Sequence, residues 1–272
     1  MIPTCRSTAT RQERRVIGVL AKEIMKIVTW NCNGALRNKT AYVDNLGADI
    51  LVIQECEDPG KSTKAFHSWA GDYLWRGDNK NKGIGVFARN GHKIRPLIWQ
   101  GEYILDAVIN KSKSLTWQSD SLQSFLPLMV NEKYTMVAVW TKQADSPNFG
   151  YIGQLWKYLQ VHKSDLPKDN AIICGDLNSN AIWDASDRWW NHSDVVAELK
   201  DIGIHSLYHH IEKEEQGKET KKTFYMYRKK SRAYHIDHVF LSANLLASSS
   251  LKIYEPESWI QYSDHVPVEF II

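Results

Sequence analysis

Short apolar runs that end in polar residues recur along this chain and limit the folds open to it. Residues 48–54 are almost continuously apolar and lead into Glu55, and residues 170–174 form a second run of this kind. A strand with one face in water alternates apolar and polar residues, whereas a strand covered on both faces stays apolar throughout. These runs therefore predict buried strands with another layer of structure on each side.

The rest of the pattern predicts an α/β protein rich in strands. Predicted strands cover residues 26–30, 48–54, 83–89, 103–110, 126–130, 134–141, 170–174, 233–241, 251–254 and 266–272. Predicted helices cover residues 42–46, residues 150–163 and a segment up to residue 202, capped by Ser193 and ended by Gly203. Many strands with few helices between them predict two packed sheets covered by outer helices.

The net charge of the chain is small and lies at one end. The chain has 34 basic and 31 acidic residues, a net charge of +3. Residues 1–24 alone carry a net charge of +3, so residues 25–272 are formally neutral. A basic field over the whole surface, of the kind that steers proteins to nucleic acid, is therefore excluded for this part. Any positive site must be local.

Composition is that of an ordinary globular protein. Hydrophobic residues make up 43% and charged residues 24% of the chain, which excludes general disorder and a coiled coil. No stretch approaches the ~18 apolar residues of a membrane span, and no secretory signal is visible. We therefore expect a cytoplasmic protein without a membrane span, and we expect it to be a monomer.

Residues 1–24 differ from the rest of the chain, because they are rich in Arg and Thr and show no clear period. We expect them to be a disordered or non-native extension, with a single domain over residues 25–272. A transit-like leader is the alternative, and Glu13 and Glu23 argue against it.

The cysteines are too scattered to suggest a zinc site. Cys5, Cys32, Cys56 and Cys174 form no CxxC pair. We expect reduced, buried thiols, which suit a reducing compartment.

Polar residues stand at the ends of several predicted strands and can share one site. They are Asn31, Asn33, Glu55, Asp176, Asn178, Asp264 and His265, and Asp237 lies inside the strand predicted over residues 233–241. A buried carboxylate such as Asp237 is costly without a partner. Because strand ends meet at one rim of a sheet, we expect these side chains to converge.

Five short motifs carry a family resemblance. They are Thr29-Trp30-Asn31-Cys32-Asn33, Val52-Ile53-Gln54-Glu55, Cys174-Gly175-Asp176-Leu177-Asn178, His235-Ile236-Asp237-His238 and Ser263-Asp264-His265-Val266-Pro267. In this order they resemble the endonuclease/exonuclease/phosphatase superfamily, which includes exonuclease III, abasic-site endonucleases, DNase I and inositol-polyphosphate 5-phosphatases. The resemblance implies a DNase I-like α/β fold, a four-layer sandwich of two mainly antiparallel β-sheets flanked by helices. It also implies a Mg²⁺-dependent phosphoester hydrolase.

The resemblance assigns metal-binding roles to three residues. Glu55 is the expected direct Mg²⁺ ligand, since Mg²⁺ prefers hard oxygens and often takes only one or two carboxylates. Asn31 lies beside the metal and the phosphate, and Asp264 resembles a second carboxylate near the metal. Mn²⁺ is the expected substitute. The alternatives are a surface Glu at a strand end, a turn residue at Asn31 and a cap of the final turn at Asp264.

The resemblance also assigns catalytic roles. Asp176 positions or deprotonates the attacking water, and Asn178 donates a hydrogen bond to the phosphoryl oxygen. Asp237 orients His265 and raises its pKa, and His265 contacts the phosphate or helps to activate the water. Gly-Asp-Leu-Asn can alternatively be a plain turn after a strand.

One position departs from the family pattern. At the end of the strand predicted over residues 134–141, relatives carry a Tyr or a His that contacts the phosphate or protonates the leaving oxygen. Here the residue is Trp140, which cannot titrate. Lys142 or Gln143 can take its place, and assignment to the abasic-site branch stays open.

A local basic patch, residues 218–232, precedes Asp237. It contains seven Lys and Arg residues against Glu219 alone, with Phe224, Tyr225 and Tyr227 between them. Basic residues mixed with aromatic ones suit phosphate contacts and base stacking, although a solvated charged loop would look the same. The expected substrate contacts are Arg228, Arg232, Lys142, His235 and Trp183.

The sequence therefore predicts a Mg²⁺-dependent phosphodiesterase that acts on nucleic acid, most simply a nuclease of DNA. A phosphatase or phosphodiesterase of a small phosphorylated molecule or lipid headgroup is the first alternative. A catalytically silent module that binds nucleic acid or protein is the second.

Overall fold

The structure, a computed structural model, describes residues 24–104, 116–143 and 149–272. Within these residues the strands are β1 (Lys26–Asn31), β2 (Ile50–Cys56), β3 (Asp72–Asn79), β4 (Lys82–Ala88), β5 (Ile94–Pro96), β6 (Glu102–Ile104), β7 (Thr116–Gln118), β8 (Phe125–Val130), β9 (Tyr134–Trp140), β10 (Ala171–Asp176), β11 (Ile204–Ser206), β12 (Phe224–Tyr225), β13 (Ala233–Tyr234), β14 (Asp237–Ser242), β15 (Ser250–Ile253) and β16 (Val268–Ile271). The α-helices are α1 (Thr40–Asp44), α2 (Lys64–Ala70), α3 (Ile152–His162), α4 (His192–Asp201), α5 (Leu207–Glu212), α6 (Ala243–Leu246) and α7 (Pro256–Trp259).

Two large mixed sheets form the centre of the molecule. The first has the strand order β15-β16-β1-β2-β4-β3, and the second has the order β11-β14-β10-β9-β8-β5. Each is mainly antiparallel, with one parallel pair, β1 with β2 in the first sheet and β9 with β10 in the second. These parallel pairs bring the carboxyl ends of β1, β2, β9 and β10 to the rim where the polar motifs lie.

The apolar runs of β2 and β10 are explained by burial on both faces. Val52 and Ile172 belong to the core between the two sheets. Their neighbours point the other way: Ile53 packs beneath α1, α2 and α7, and Ile173 packs beneath α3 and α4. The result is helix, sheet, sheet and helix in four layers, which confirms the predicted fold class.

The predicted elements differ from the structure in several places. The sequence prediction lacks the helices α2, α5, α6 and α7 and the strands β5, β7, β11 and β12. Helix α4 begins at His192, because Asn191 and Asp194 form a capping box ahead of the predicted cap at Ser193. The strand predicted over residues 233–241 is two strands, β13 and β14. Strand β3 is absent from the sequence prediction, because its residues are mostly half-buried and polar ones interrupt the apolar pattern.

Other predictions are confirmed or fall outside the described residues. Cys32, Cys56 and Cys174 are buried and free. Cys5, almost all of the predicted N-terminal extension and residues 105–110 of the predicted fourth strand lie outside the described residues. None of the helices in the described ranges has the length and apolar character needed to cross a bilayer.

Candidate active site

The candidate site lies where the two sheets meet at one rim. Asn31 is the last residue of β1, and Asp176 is the last residue of β10. Asp237 opens β14 and pairs in register with Asp176. His265 is held against β1, because Trp30 Nε1 donates a hydrogen bond to its carbonyl oxygen at 3.0 Å. The structure therefore brings Asn31, Asp176, Asp237 and His265 together.

Asn31 links the carboxylates of the two sheets. Its Nδ2 donates to Asp176 Oδ2 at 2.9 Å and lies 3.3 Å from Glu55 Oε1. Its Oδ1 accepts a hydrogen bond from the backbone N–H of Asn33 at 3.0 Å. The amide thus serves as a turn residue and as a bridge between sheets.

Glu55 reaches the rim because the backbone of β2 is irregular there. It has a φ of 59°, and the pairing of β2 with β4 shifts register between Gln54 and Cys56. Such a bulge re-aims a side chain. Its Oε2 forms an ion pair with Lys82 of β4, a partner that sequence reasoning missed.

The turn after β10 is built around Asp176. Gly175 has a φ of 144°, and a Cβ there would lie 1.9 Å from Val139 O, so only glycine lets β10 approach β9 this closely. Asp176 Oδ1 accepts the backbone N–H of Asn178 at 2.8 Å, and Asn178 Nδ2 donates to Asp176 Oδ2 at 3.0 Å. Asn178 Nδ2 also donates to Thr141 O at 2.9 Å. The segment is therefore a turn, and it directs the Asn178 amide and the buried Asp176 carboxylate to the same part of the rim.

Asp237 and His265 form a buried pair. His265 Nδ1 donates to Asp237 Oδ2 at 2.8 Å, and His265 Nε2 lies 3.9 Å from Asp176 Oδ2. Burial alone would lower the pKa of His265, but the carboxylates of Asp237 and Asp176 raise it to about 9. Burial raises the pKa of Asp176 to about 7, even though His265 and Asn31 act in the opposite sense. The site therefore places a cationic imidazole beside a carboxyl group that titrates near neutral pH.

The donor atoms at this rim fit a hard divalent cation. Ligand atoms of Asp176, Asp237 and His265 lie within 4.8 Å of one another. Asp237 Oδ1 is buried without a hydrogen-bond partner, and Glu55 Oε1 has only the long contact to Asn31 within the described residues. Carboxylate oxygens are the ligands that Mg²⁺ prefers. Asp264 is partly exposed beside them, and its backbone oxygen accepts from Tyr225 N at 2.7 Å.

The basic patch, residues 218–232, borders the site through Phe224. Its ring centroid lies 4.7 Å from that of His265. Arg228 Nη1 donates to Gln261 O at 3.2 Å, and the Arg232 guanidinium carbon lies 5.8 Å from the centre of the exposed Tyr227 ring. Both predicted arginines are therefore on the loop beside the site, and neither contacts Glu55, Asp176 or Asp237 in the hydrogen-bond and ion-pair network of the described residues.

A cavity of about 440 Å³ opens beside Asn178. Its aromatic wall includes Trp183 and Tyr234, whose ring centroids are 5.1 Å apart, and Phe224. Trp183 keeps 45% of its surface exposed, whereas Trp190 is buried. The predicted substrate contact Trp183 is therefore at the cavity, and Trp190 belongs to the core.

Two of the predicted substrate contacts lie in different surroundings from those expected. His235 is buried at 2% exposure, its Nδ1 donates to Lys221 O at 2.8 Å, and burial lowers its pKa to about 3. Its partner in the structure is a backbone carbonyl, and its assignment to substrate binding stays a prediction. Lys142 forms an ion pair with Asp78, and its Nζ lies 5.2 Å from the centre of the Trp140 ring.

Sequence reasoning missed a buried polar network under the turn that follows β10. Asn180 Nδ2 donates to Glu219 Oε2 at 2.9 Å, and Glu219 Oε1 lies 3.1 Å from His209 Nε2. His238 Nε2 donates to Ser179 O at 3.0 Å, and His192 Nδ1 lies 3.2 Å from Ser179 Oγ. The only signal in the sequence is that Glu219 is the single acid in a basic segment. The network connects the turn carrying Asn178 to the start of the basic patch.

A profile of the Endonuclease/Exonuclease/phosphatase family matches residues 28–265. The chain therefore belongs to this family of nucleases and phosphatases, as the motifs predicted. Among curated protein sequences, no significant match to the chain is found.

Solved structures share the fold at low sequence identity. An AP endonuclease from Archaeoglobus fulgidus is 18% identical with a TM-score of 0.63, over 90% of this chain and 98% of that one. The 3′ phosphatase NExo from Neisseria, bound to a product DNA hairpin, is 19% identical with a TM-score of 0.63, over 90% and 98%. An AP endonuclease from Leishmania major is 12% identical with a TM-score of 0.61, over 92% and 87%. At these identities the likeness shows the fold alone.

Proposed function

We propose that this protein is a Mg²⁺-dependent phosphodiesterase that cleaves nucleic acid, with DNA as its preferred substrate. The single observation that carries the proposal is the position of Asp176. Its carboxylate is fully buried, hydrogen-bonded by Asn31 and Asn178, and lies 3.9 Å from His265 Nε2. A base and a cationic phosphate-binding group are thereby held side by side.

The chain's own residues divide the work of hydrolysis. Asp176, with a pKa of about 7, holds the attacking water and accepts its proton. His265, with a pKa of about 9, donates to a phosphoryl oxygen as negative charge develops on it. Asn178 donates to another phosphoryl oxygen by exchanging its hydrogen bond to Thr141 O for one to substrate. Asp237 keeps His265 in the orientation that points Nε2 toward the reacting group.

Glu55 and Asp264 would hold the cation, and Asn31 would steady Glu55 beside it. When bound there, a divalent cation neutralises charge on the phosphoryl group and the leaving oxygen. Members of this family generally use divalent metals, and the oxygen-rich donor set favours Mg²⁺ or Mn²⁺ over a softer ion.

Two features beside the site favour a polynucleotide over a small phosphoester. The basic patch supplies cations and an exposed Tyr227 along one side of the site. The cavity beside Asn178 has an aromatic wall that suits the sugar or base next to the cleaved phosphate. The neighbours from Archaeoglobus fulgidus and Neisseria are an AP endonuclease and a 3′ phosphatase bound to DNA, which supports the same substrate class.

A phosphatase acting on a small phosphorylated molecule is the second candidate. It is favoured by Trp140, which cannot protonate a leaving oxygen, and by the neutral charge of residues 25–272. A 3′ phosphate on DNA is a substrate that fits both candidates, because it is a phosphomonoester and is part of a polynucleotide.

The test is a cleavage panel run with the whole chain. Plasmid DNA, single-stranded DNA, an abasic duplex, a 3′-phosphorylated duplex, RNA and small phosphomonoesters are each incubated with Mg²⁺, Mn²⁺ or EDTA. We expect metal-dependent cleavage of DNA that is lost in His265→Ala and kept in the matched control His67→Ala, on the outer helix α2. Turnover of small phosphoesters alone would select the phosphatase. Silence of a folded, metal-loaded protein on every substrate would select the binding module.

A further inference from the structure

The tip of the β3–β4 hairpin reaches over the rim of the candidate site. Asn79 of β3 pairs with Lys82 of β4, and the chain between them turns at Lys80 and Asn81. The Lys80 carbonyl oxygen accepts the backbone N–H of Asp58 at 2.9 Å, which ties the tip to the segment after β2. Two oppositely charged residues near this tip, Asp78 and Lys82, are therefore held close to the site.

Lys82 neutralises the expected metal ligand. Its ammonium group forms an ion pair with Glu55 Oε2, while Glu55 Oε1 lies near the Asn31 amide. The Glu55 side chain is 19% exposed and that of Lys82 is 50% exposed. A cation on a flexible stem thus occupies the solvent side of a carboxylate that is otherwise directed into the site.

Asp78 neutralises the expected phosphate contact. Its Oδ2 forms an ion pair with the ammonium group of Lys142, which is 34% exposed above Trp140. Lys142 comes directly after Thr141, whose carbonyl oxygen accepts a hydrogen bond from Asn178 at 2.9 Å. A carboxylate oxygen therefore sits on Lys142 where a substrate phosphate oxygen would bind.

We propose that Asp78 and Lys82 are stand-in charges, which substitute for substrate phosphate on Lys142 and for the divalent cation on Glu55. The proposal rests on the proposed function for the identity of the two ligands. A cation that binds Glu55 displaces Lys82, and a phosphate that binds Lys142 displaces Asp78. The displaced Lys82 then adds a positive charge to the rim that faces the substrate.

The metal half is tested by binding alone. Mg²⁺ and then Mn²⁺ are titrated calorimetrically into the substrate-free protein, into Lys82→Met and into the control Lys80→Met, which removes the same charge from the same hairpin. We expect Lys82→Met to bind metal about two- to fivefold more tightly, the range for a partly exposed ion pair, and Lys80→Met to stay close to wild type. Equal gains in both variants, or weaker binding in Lys82→Met, would overturn the proposal.

The phosphate half uses a fluorescein-labelled single-stranded oligonucleotide in EDTA. We expect Asp78→Asn to bind it several-fold more tightly, and the control Asp72→Asn, at the other end of β3, to gain clearly less. An equal gain would mean that only net charge matters and would contradict the stand-in role of Asp78. Neither measurement depends on turnover, so a protein that binds as expected and cleaves nothing would reject the proposed function and leave this inference standing.

Discussion

His265 Nδ1 lies 2.8 Å from Asp237 Oδ2, and the two residues belong to different parts of the chain, one opening β14 and one preceding β16. Both side chains are almost fully buried. The imidazole of His265 holds a positive charge inside the protein, because the carboxylates of Asp237 and Asp176 outweigh the burial that would otherwise lower its pKa. His265 is thereby cationic at neutral pH, the charge state that binding of a phosphate requires.

Asp237→Asn should separate this electrostatic role from simple packing. The side chain keeps its shape but loses its charge, so we expect the pKa of His265 to fall from about 9 and cleavage near pH 8 to drop by about 10²–10⁴-fold. The alkaline limb of the kcat/KM profile should move to lower pH. A variant with reduced activity but an unshifted alkaline limb would show that another group titrates there. Thermal melting checks that the fold is intact.

Asn31→Asp should destabilise the metal-free protein. The substitution removes the donor shared by Asp176 and Glu55 and adds a third carboxylate, so we expect a loss of about 1–3 kcal/mol in EDTA. Saturating Mg²⁺ should restore more stability to this variant than to wild type, because the added charge is neutralised.

The matched control is Asn33→Asp, an exposed residue two positions further along with a φ of 51°. Its unfolding free energy, measured by urea titration, should stay within about 0.5 kcal/mol of wild type. If Asn31→Asp unfolds like Asn33→Asp in EDTA, the bridge between the sheets contributes nothing.

Glu219→Ala should be strongly destabilising, because it also removes a buried group that makes several hydrogen bonds. Glu219 is buried at 2% exposure and accepts hydrogen bonds from Asn180, His209 and the backbone of Gly217. Removing it takes the carboxylate acceptor away from these three donors at a buried position, so we expect a loss of about 3 kcal/mol. The control Glu215→Ala removes a carboxylate that is 75% exposed in the same loop, and should cost less than about 0.5 kcal/mol. The unfolding free energies of both variants are measured by urea titration. Similar losses of stability would argue against a stabilising role for the buried network.

Acid should destabilise the protein through three buried histidines. Burial lowers the pKa of His192 to about 4 and the pKa values of His235 and His238 to about 3, although the Glu219 carboxylate opposes the shift. Each imidazole is neutral when folded and takes up a proton on unfolding. Their contribution is therefore complete above about pH 6.5 and is lost as the pH falls from there toward 3, by up to about 1.4 kcal/mol per pH unit for each residue.

His192→Gln isolates one of these three contributions. We expect its unfolding free energy to fall less steeply than that of wild type between pH 6.5 and about 4, measured by urea titration at closely spaced pH values. Both proteins contain the same carboxylates, so the difference in slope reports His192 together with its effect on the pKa of the neighbouring His238. Parallel curves would show that His192 is not the neutral buried group described here.

Much of the fold could be predicted, because it depends on the pattern of apolar and polar residues within short segments of the chain. The continuous apolar stretch of β2 requires cover on both faces, and the structure supplies it by packing Val52 toward the other sheet and Ile53 toward the helices. The strands β8 and β9 could also be predicted, since two apolar runs flank Asn131-Glu132-Lys133. Strand β3 could not be, because its half-buried residues lack a clean period and its place depends on pairing with β4.

For the candidate site too, one part could be predicted from the sequence and another part depends on tertiary structure. The order of residues along the chain establishes which polar side chains stand at strand ends and, through the motifs they form, which family the chain belongs to. Long-range packing decides where those side chains lie. A bulge directs Glu55 to the rim of the site, and His235 is buried away from that rim. The β3–β4 hairpin brings Lys82 and Asp78 over the rim. The physical reason is distance along the chain. Local pattern is set by neighbouring residues, whereas contacts such as Trp30 with His265, 235 residues apart, form only when burial and hydrogen bonding are satisfied for the whole molecule together.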